Sequence, residues 1–290
     1  MRLSITHDTV FHYSLPARSN INEVRLAPEE NDRQNPGGLE IIVDPEPETG
    51  LSPSRDLFGN LVHAFEVERK HPQLRITAKS DVETICGKSM AVETQNLSFD
   101  NVKEVKSDDS VHEYLVDSHY VAKSPEIWKE AIDVCFESEQ TWGCIAKNLS
   151  DHVFTTCRWE AQLIHRATTA AEVQQDRIGT CQDFAHLLIG MCRSIGIPAR
   201  YVSGYLYDPG LDHGSAASFT GTNVSHAWVD FYAPEVGWVG LDPTNHCWVD
   251  ENYVSVAKGR DYGDVAPVRG SLLGGGPKRS MDVHVEVKQL

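Results

Sequence analysis

The cysteine at position 181 stands where the sequence predicts the first turn of a helix, a position that favours a reactive thiolate. Thr180 is a suitable N-cap residue, and Asp183 resembles the acidic member of a capping box. Unpaired backbone N–H groups and the positive end of the helix dipole stabilise a thiolate there. The same N–H groups can receive the oxyanion of a tetrahedral intermediate. We therefore predict that Cys181 is a nucleophile that attacks an acyl carbon.

A cysteine nucleophile needs a base, and the chain offers 13 histidines. His186 lies about 140° round an ideal helix from Cys181, so its side chain should point away from the thiol. His226 instead begins a segment with the apolar–polar alternation of a β-strand. His226 is therefore the preferred candidate base.

An orienting carboxylate for His226 is predicted from the next strand, which a turn at 234–237 joins to the first. Val239 and Leu241 are its apolar residues. If the odd-numbered apolar residues of both strands face the core, His226 and Asp242 lie together on the opposite face. A slip of one residue would separate them, and an aspartate before proline is also an ordinary turn former. The residues alone thus give a hypothesis for a Cys–His–Asp set.

Zinc chemistry is the alternative use of scattered histidine and cysteine side chains. Neither C-x-x-C nor H-E-x-x-H spacing occurs in the sequence. We therefore expect no metal ion and no other cofactor.

The elements that must hold these residues predict an α+β protein. Short strands separated by turn residues indicate an all-β, sandwich-like N-terminal domain over 1–105, followed by a second domain over 106–290 with a linker at about 87–124. Strands are predicted at 3–11, 23–26, 39–43, 62–68, 73–82, 199–206, 226–232, 238–242 and 281–288. Helices are predicted at 124–136, 141–154 and 181–194, the last one capped by Gly196.

Composition limits the partners and the compartment. The chain has 26 Lys and Arg residues and 42 Asp and Glu residues, so its formal net charge is −16. This charge argues against binding to nucleic acid and against binding to an anionic membrane surface. The first residues lack the apolar run of a signal peptide, and no stretch is long and apolar enough to span a membrane. Seven cysteines do not form the even set of a secreted disulfide framework. We therefore predict a cytoplasmic protein.

Several segments of the chain are similar to one known family. The segments 179–187, 196–205, 225–228 and 237–245 occur in the order and at the spacing of the bacterial transglutaminase-like core, which they resemble. Thr180 departs from the pattern, because valine is common at that position. The segment 56–60 resembles the β domain that precedes this core in many members, and 256–265 resembles their C-terminal part.

The resemblance implies a papain-like α+β core in which a helix-borne cysteine packs on an antiparallel sheet. It assigns the catalytic triad to Cys181, His226 and Asp242, in that chain order. Family members include acyl transferases, amide hydrolases and peptidases. A peptide, a protein or an acyl amide is therefore the expected substrate.

The expected reaction is thiol acyl transfer. Cys181 attacks an amide carbonyl, His226 protonates the leaving amine, and water or a second amine resolves the thioester. The backbone N–H of Cys181 should form half of the oxyanion hole, with Trp159 and Gln182 as candidates for the second donor. The aromatic residues predicted to form the cleft walls are Tyr205, Tyr207 and Trp228.

Hydrolysis of an amide or peptide bond through a Cys181 thioester is the favoured function. One alternative is a true transglutaminase that passes the acyl group to an amine. The other is a non-catalytic binding module on the same fold, against which the intact set of three residues argues. No oligomeric state is predicted.

Overall fold

The computed structural model describes residues 1–85, 90–161, 167–212, 217–221 and 224–290 of the chain. Its first part is an antiparallel sheet, here called the N-terminal sheet, with the strand order β2-β5-β1-β4-β3. These strands are β1 (Arg2–Val24), β2 (Gln34–Asp44), β3 (Ser52–Arg55), β4 (Leu61–Val67) and β5 (His71–Thr84). The β-rich N-terminal region expected from the sequence is confirmed.

Strand β1 has one buried face because its apolar residues alternate with polar ones. Leu3 and Ile5 are buried, whereas the residues beside them are more exposed. The separate strand predicted at 23–26 is wrong. Glu23 and Val24 are the last two residues of β1, because this strand continues through a register shift between Ala17 and Ser19 instead of turning. Arg25 and Leu26 follow outside the strand.

Helices occupy much of the next part of the chain. They are α1 (Met90–Gln95), α2 (Val102–Val105), α3 (Pro125–Glu137), α4 (Trp142–Thr156), α5 (Ala170–Asp176), α6 (Cys181–Ile195), α7 (Pro209–Asp212) and α8 (Tyr262–Val265), with 3-10 turns at Phe99–Asn101 and His112–Tyr114. The helices expected at 124–136, 141–154 and 181–194 are confirmed as α3, α4 and α6. Their ends follow local chemistry. Ser124 and Thr141 cap α3 and α4 through their side-chain oxygens, and Gly196 ends α6 with φ 95°.

A second antiparallel sheet, here called the core sheet, has the strand order β11-β10-β9-β8-β12. In the chain, the strands of this sheet come after a short parallel pair that consists of β6 (Arg158–Trp159) and β7 (Ile178–Gly179). The strands of the core sheet are β8 (Ala199–Leu206), β9 (His226–Ala233), β10 (Gly237–Asp242), β11 (Cys247–Trp248) and β12 (Tyr253–Gly259). The mixed α+β class predicted from the sequence is confirmed.

The core sheet is covered on both faces. Helix α6 packs against β8 and β9 on one face, with residues such as Phe184 and Leu188 in the apolar cluster. The N-terminal sheet packs against the other face, where Leu3 and Ile5 meet Val254. The start of α6 and the ends of the core strands are therefore fixed by packing from two sides.

The end of the chain returns to the N-terminal sheet. Strands β13 (Val268–Gly274) and β14 (Arg279–Gln289) both pair antiparallel with β1. The domain expected over 106–290 thus contains two strands that belong to the first sheet. Val268 of β13 and Val285 of β14 pack in its apolar clusters. Within the expected linker, Val105 and Val111 pack in the helical core. Residues 87–89 of that linker lie outside the described part.

Candidate active site

Cys181 is the first residue of α6, and the loop before it is fixed by Asp183. The Oδ2 atom of Asp183 accepts hydrogen bonds from Thr180 N at 2.7 Å and from Thr180 Oγ1 at 3.0 Å. A Cβ on Gly179 would come within 2.6 Å of the Asp183 Cβ, so this close approach requires glycine. The predicted capping box is confirmed. It holds the helix start, where Cys181 is 7% exposed and lines a pocket.

The hairpin of β9 and β10 brings His226 and Asp242 to one face. Leu241 pairs with Val229, which is the register that the alternation predicts. His226 Nε2 lies 2.7 Å from Asp242 Oδ2, and both side chains are fully buried. The carboxylate therefore holds one imidazole nitrogen in a fixed direction.

Asp242 accepts hydrogen bonds at both oxygens. Thr244 N and Asn245 N donate to Oδ1 at 2.8 and 3.2 Å, while Asn245 Nδ2 and Tyr253 OH each donate to Oδ2 at 2.8 Å. Burial disfavours the charge, but the charge of His226 and the hydrogen bonds of Asn245 and Tyr253 outweigh it and lower the pKa of Asp242. The group is therefore a carboxylate at neutral pH.

Tyr253 is a site residue that the sequence interpretation missed. Its ring packs edge-on against Trp228 with centroids 5.3 Å apart, and burial together with the nearby Asp242 charge raises the pKa of its hydroxyl. The hydroxyl therefore stays protonated and donates. In the sequence, Tyr253 and Val254 show only the alternation of a strand, and this pattern does not indicate a contact with Asp242. Folding of the segment 243–252 is what brings the hydroxyl to Asp242.

The second imidazole nitrogen of His226, Nδ1, is not engaged by Asp242. Nδ1 is buried and makes no hydrogen bond within the described residues. Gly221, with φ +88°, lies against it, and a Cβ at Gly221 would come within 2.8 Å of Nδ1. Glycine therefore leaves space around this nitrogen. The sequence interpretation also missed Gly221, because only the folded loop brings it to the imidazole.

The charge state of His226 follows from two neighbours. Burial lowers the pKa of His226, but the charge and hydrogen bond of Asp242 and the interaction with Cys181 together raise it above its ordinary value. A protonated imidazole beside sulfur favours the thiolate. This arrangement can hold a thiolate–imidazolium pair.

A second buried histidine positions the far side of the pocket. His186 Nδ1 bonds the carbonyl of Thr168 at 2.8 Å, and His186 Nε2 accepts from Tyr262 N at 3.2 Å. Tyr120 stacks on the imidazole at 4.9 Å. His186 thus fixes the backbone of Tyr262, which lines the pocket.

The pocket at Cys181 has a cavity volume of about 120 Å³. Two of the predicted site residues, Trp159 and Gln182, line it together with Cys181. The full lining in the described part of the chain is His7, Thr9, Trp159, Ala167, Thr180, Cys181, Gln182, Gly221, Val224, Ser225, Tyr262, Pro267, Val268, Met281 and Val283.

The aromatic residues expected to form the cleft walls lie elsewhere. Tyr205 and Tyr207 are buried where the two sheets meet, and the Tyr205 hydroxyl bonds His7 Nδ1 at 3.0 Å. Trp228 is fully buried against Tyr253. These large rings fill the contacts of the core sheet, so their expected role as cleft walls is corrected to packing.

Other features of the described residues bear on the chemistry. Within them, no group of three or more His, Cys, Asp or Glu side chains is arranged to hold a metal ion. The cysteines of the described ranges are free thiols. No helix in the described ranges is long and apolar enough to cross a bilayer.

Two family models match the chain. The model described as the transglutaminase-like superfamily matches residues 132–243, a range that includes Cys181, His226 and Asp242. The model described as the bacterial transglutaminase-like N-terminal region matches residues 3–83.

Individual relatives match as well. An uncharacterized protein of Mycobacterium leprae is 31% identical over 299 residues, which cover 100% of this chain and 99% of the relative. A Pseudomonas aeruginosa protein-glutamine gamma-glutamyltransferase is 37% identical over 70 residues, 23% of this chain and 10% of that protein. The crystal structure of a "Putative Cysteine Protease" from Cytophaga hutchinsonii superposes with a TM-score of 0.78 at 21% identity, covering 99% of this chain and 90% of that one.

Proposed function

Because this chain belongs to the transglutaminase-like superfamily, we propose that it is a thiol-dependent acyl-transfer enzyme that hydrolyses amide or peptide bonds through a Cys181 thioester. One observation supports this most strongly. His226 is held through Nε2 at 2.7 Å from Asp242, so that its other nitrogen is available to Cys181 at the start of α6.

Acylation begins from the thiolate–imidazolium pair. The sulfur of Cys181 forms a bond to the carbonyl carbon, and the carbonyl electron pair moves to oxygen. His226 then donates its Nδ1 proton to the amide nitrogen as the C–N bond breaks, which releases the amine and leaves a thioester. Asp242 keeps the imidazole in place and stabilises its charged form.

The oxyanion is stabilised at the beginning of the helix. The backbone N–H of Cys181 belongs to the first turn of α6, whose amides lack intrahelical acceptors. Trp159 and Gln182 line the same pocket and are the proposed sources of a second donor.

Deacylation distinguishes two outcomes. In hydrolysis, His226 takes a proton from water, and the water oxygen bonds to the thioester carbon. The C–S bond then breaks, which releases the acid and returns Cys181 to the thiolate. In transglutamination, a primary amine attacks instead. The names of the similar proteins include both a cysteine protease and a glutamyltransferase, so the second outcome is retained as the alternative. We propose peptides, proteins or acyl amides as substrates, and the cytoplasm as the compartment.

The first experiment measures whether Cys181 is activated. Alkylation by iodoacetamide near pH 7 is followed by mass spectrometry at Cys181 and at Cys135, a half-buried cysteine of α3 whose pKa burial raises. Cys181 should react at least about tenfold faster, because only a thiolate is strongly nucleophilic. His226→Gln should remove that difference. Equal rates at the two cysteines would favour a binding module.

The second experiment identifies the acyl acceptor. A peptide digest that contains glutamine is incubated with wild type or Cys181→Ala, with and without methylamine, and ammonia and new peptide termini are measured. When the amino groups of the peptides are blocked by acetylation, ammonia or new termini without methylamine indicate hydrolysis. Incorporation of methylamine at the expense of hydrolysis indicates a transglutaminase.

A further inference from the structure

One face of the N-terminal sheet forms a wall of the pocket that opens at Cys181. His7 and Thr9 of β1 and Met281 and Val283 of β14 all line this pocket. These residues lie outside 132–243, the range that the transglutaminase-like superfamily model matches. The N-terminal sheet therefore bounds the pocket on one side, and the start of α6 bounds it on another.

The register of the two strands explains why these side chains face the same way. Thr9 pairs with Val283, and His7 pairs with Val285. Because side chains alternate along a strand, the odd-numbered residues of both strands share one face. Toward Ile5 that face packs on the core sheet, and toward Met281 it lies over the pocket.

The wall is fixed to the core sheet by polar contacts as well as by apolar packing. Gln34 Nε2 donates to the Ser255 carbonyl at 2.8 Å, and Gln34 Oε1 accepts from Ser255 N at 2.8 Å. The Arg33 guanidinium lies 3.3 Å from the buried carboxylate of Asp230 in β9. Paired polar contacts of this kind hold two surfaces in one relative position.

The wall and the rest of the described lining contain no Asp, Glu, Lys or Arg, although the whole chain has a formal net charge of −16. His7 is also uncharged at neutral pH, because burial lowers its pKa to about 4. Its ring nitrogens are occupied by Tyr205 OH and Thr9 Oγ1. A charged substrate group placed against the described lining would lose hydration without gaining a counter-charge from it.

We propose that the N-terminal sheet is the specificity wall of the enzyme and selects an uncharged, apolar side chain or acyl group next to the scissile amide. Met281 and Val283 are the contact residues, since they are only half-buried and face the pocket. This inference rests on the proposed acyl-transfer function of Cys181.

The test uses peptidyl chloromethyl ketones that end in leucine, aspartate or lysine. Inactivation rate constants are measured, and each is divided by the iodoacetamide rate of the same protein. For wild type, the leucine probe should react about tenfold or more faster than either charged probe, the scale expected for an apolar pocket. Comparable normalised rates for all three probes would overturn the proposal.

Charged variants of Met281 test the wall itself. Met281→Glu should raise the normalised rate of the lysine probe about tenfold and lower that of the aspartate probe, and Met281→Lys should do the reverse. His284→Glu and His284→Lys are matched controls, because His284 is exposed on the other face of β14. An unchanged probe order in the Met281 variants, or the same change in the His284 variants, would contradict the wall.

Val283→Thr covers the case in which the Met281 variants fail to fold. It keeps the shape of the side chain and adds a hydroxyl, so the leucine probe should lose about threefold or more in normalised rate. If the normalised rate of the leucine probe does not fall, the result contradicts the wall. If Cys181 of the wild-type protein reacts with iodoacetamide no faster than Cys135, the proposed acyl-transfer function is refuted instead. This measurement therefore separates a failure of the function from a failure of the wall.

Discussion

Replacing Tyr253 by phenylalanine removes the hydroxyl that donates to Asp242 Oδ2 at 2.8 Å and keeps the ring against Trp228. A hydrogen bond to a buried charged group contributes about 1.5–3 kcal/mol. Tyr253→Phe should therefore lower the free energy of unfolding by about that amount at pH 7, measured by urea denaturation.

The loss of unfolding free energy in Tyr253→Phe should depend on pH in a defined direction. The native environment lowers the pKa of Asp242, so its ionisation contributes stability above the unfolded pKa, about 3.9. That contribution is lost as pH falls through the native value. The hydroxyl bond is charge-assisted only while Asp242 is ionised. The difference between wild type and Tyr253→Phe should therefore shrink in acid.

Tyr13→Phe is the matched control for Tyr253→Phe. Tyr13 is a half-buried tyrosine whose hydroxyl accepts a hydrogen bond from the neutral amide Nδ2 of Asn20 at 3.0 Å. The loss of this hydroxyl should cost about 1 kcal/mol or less and should not depend on the ionisation of Asp242. Tyr253→Phe should also slow alkylation of Cys181 by about threefold to tenfold, a change of about 0.7 to 1.4 kcal/mol at 1.36 kcal/mol per factor of ten. Equal, pH-independent losses in the two variants would refute the role given to the Tyr253 hydroxyl.

Three other changes test the same site. Asp242→Asn should slow acyl transfer by a factor on the order of 10²–10⁴ while circular dichroism stays native, because the imidazole loses its anionic partner. Gly221→Ala should slow alkylation of Cys181, because the new Cβ would lie 2.8 Å from His226 Nδ1. Gly237→Ala is the control, since Gly237 has a similar φ (+93° against +88°) but its Cβ would meet no atom within 4 Å. An equal effect of the two variants on alkylation would contradict the contact. The pH profile of kcat/KM should stay high above pH 6.5, because Asp242 raises the pKa of His226 and the ring keeps its proton there; a decline centred at 6.5 would disprove that shift.

The sequence by itself determined the local parts of this site. An N-cap threonine, a capping-box aspartate and a C-terminal glycine define α6, because helix ends depend on a few neighbouring residues. The alternation in β9 and β10 determined which residues share a face, and so predicted that His226 and Asp242 would meet. These patterns act over short separations, where period and capping decide the outcome.

Only the tertiary structure decided which distant residues complete the site. Alternation cannot say which of two covered faces a side chain occupies, so Tyr205 and Trp228 were expected in the cleft but fill the sheet contacts instead. Tyr253 reaches Asp242 only after a connection has folded, and Met281 reaches the pocket only because β14 pairs with β1 from the other end of the chain. Such contacts depend on packing between whole sheets, which no local pattern encodes.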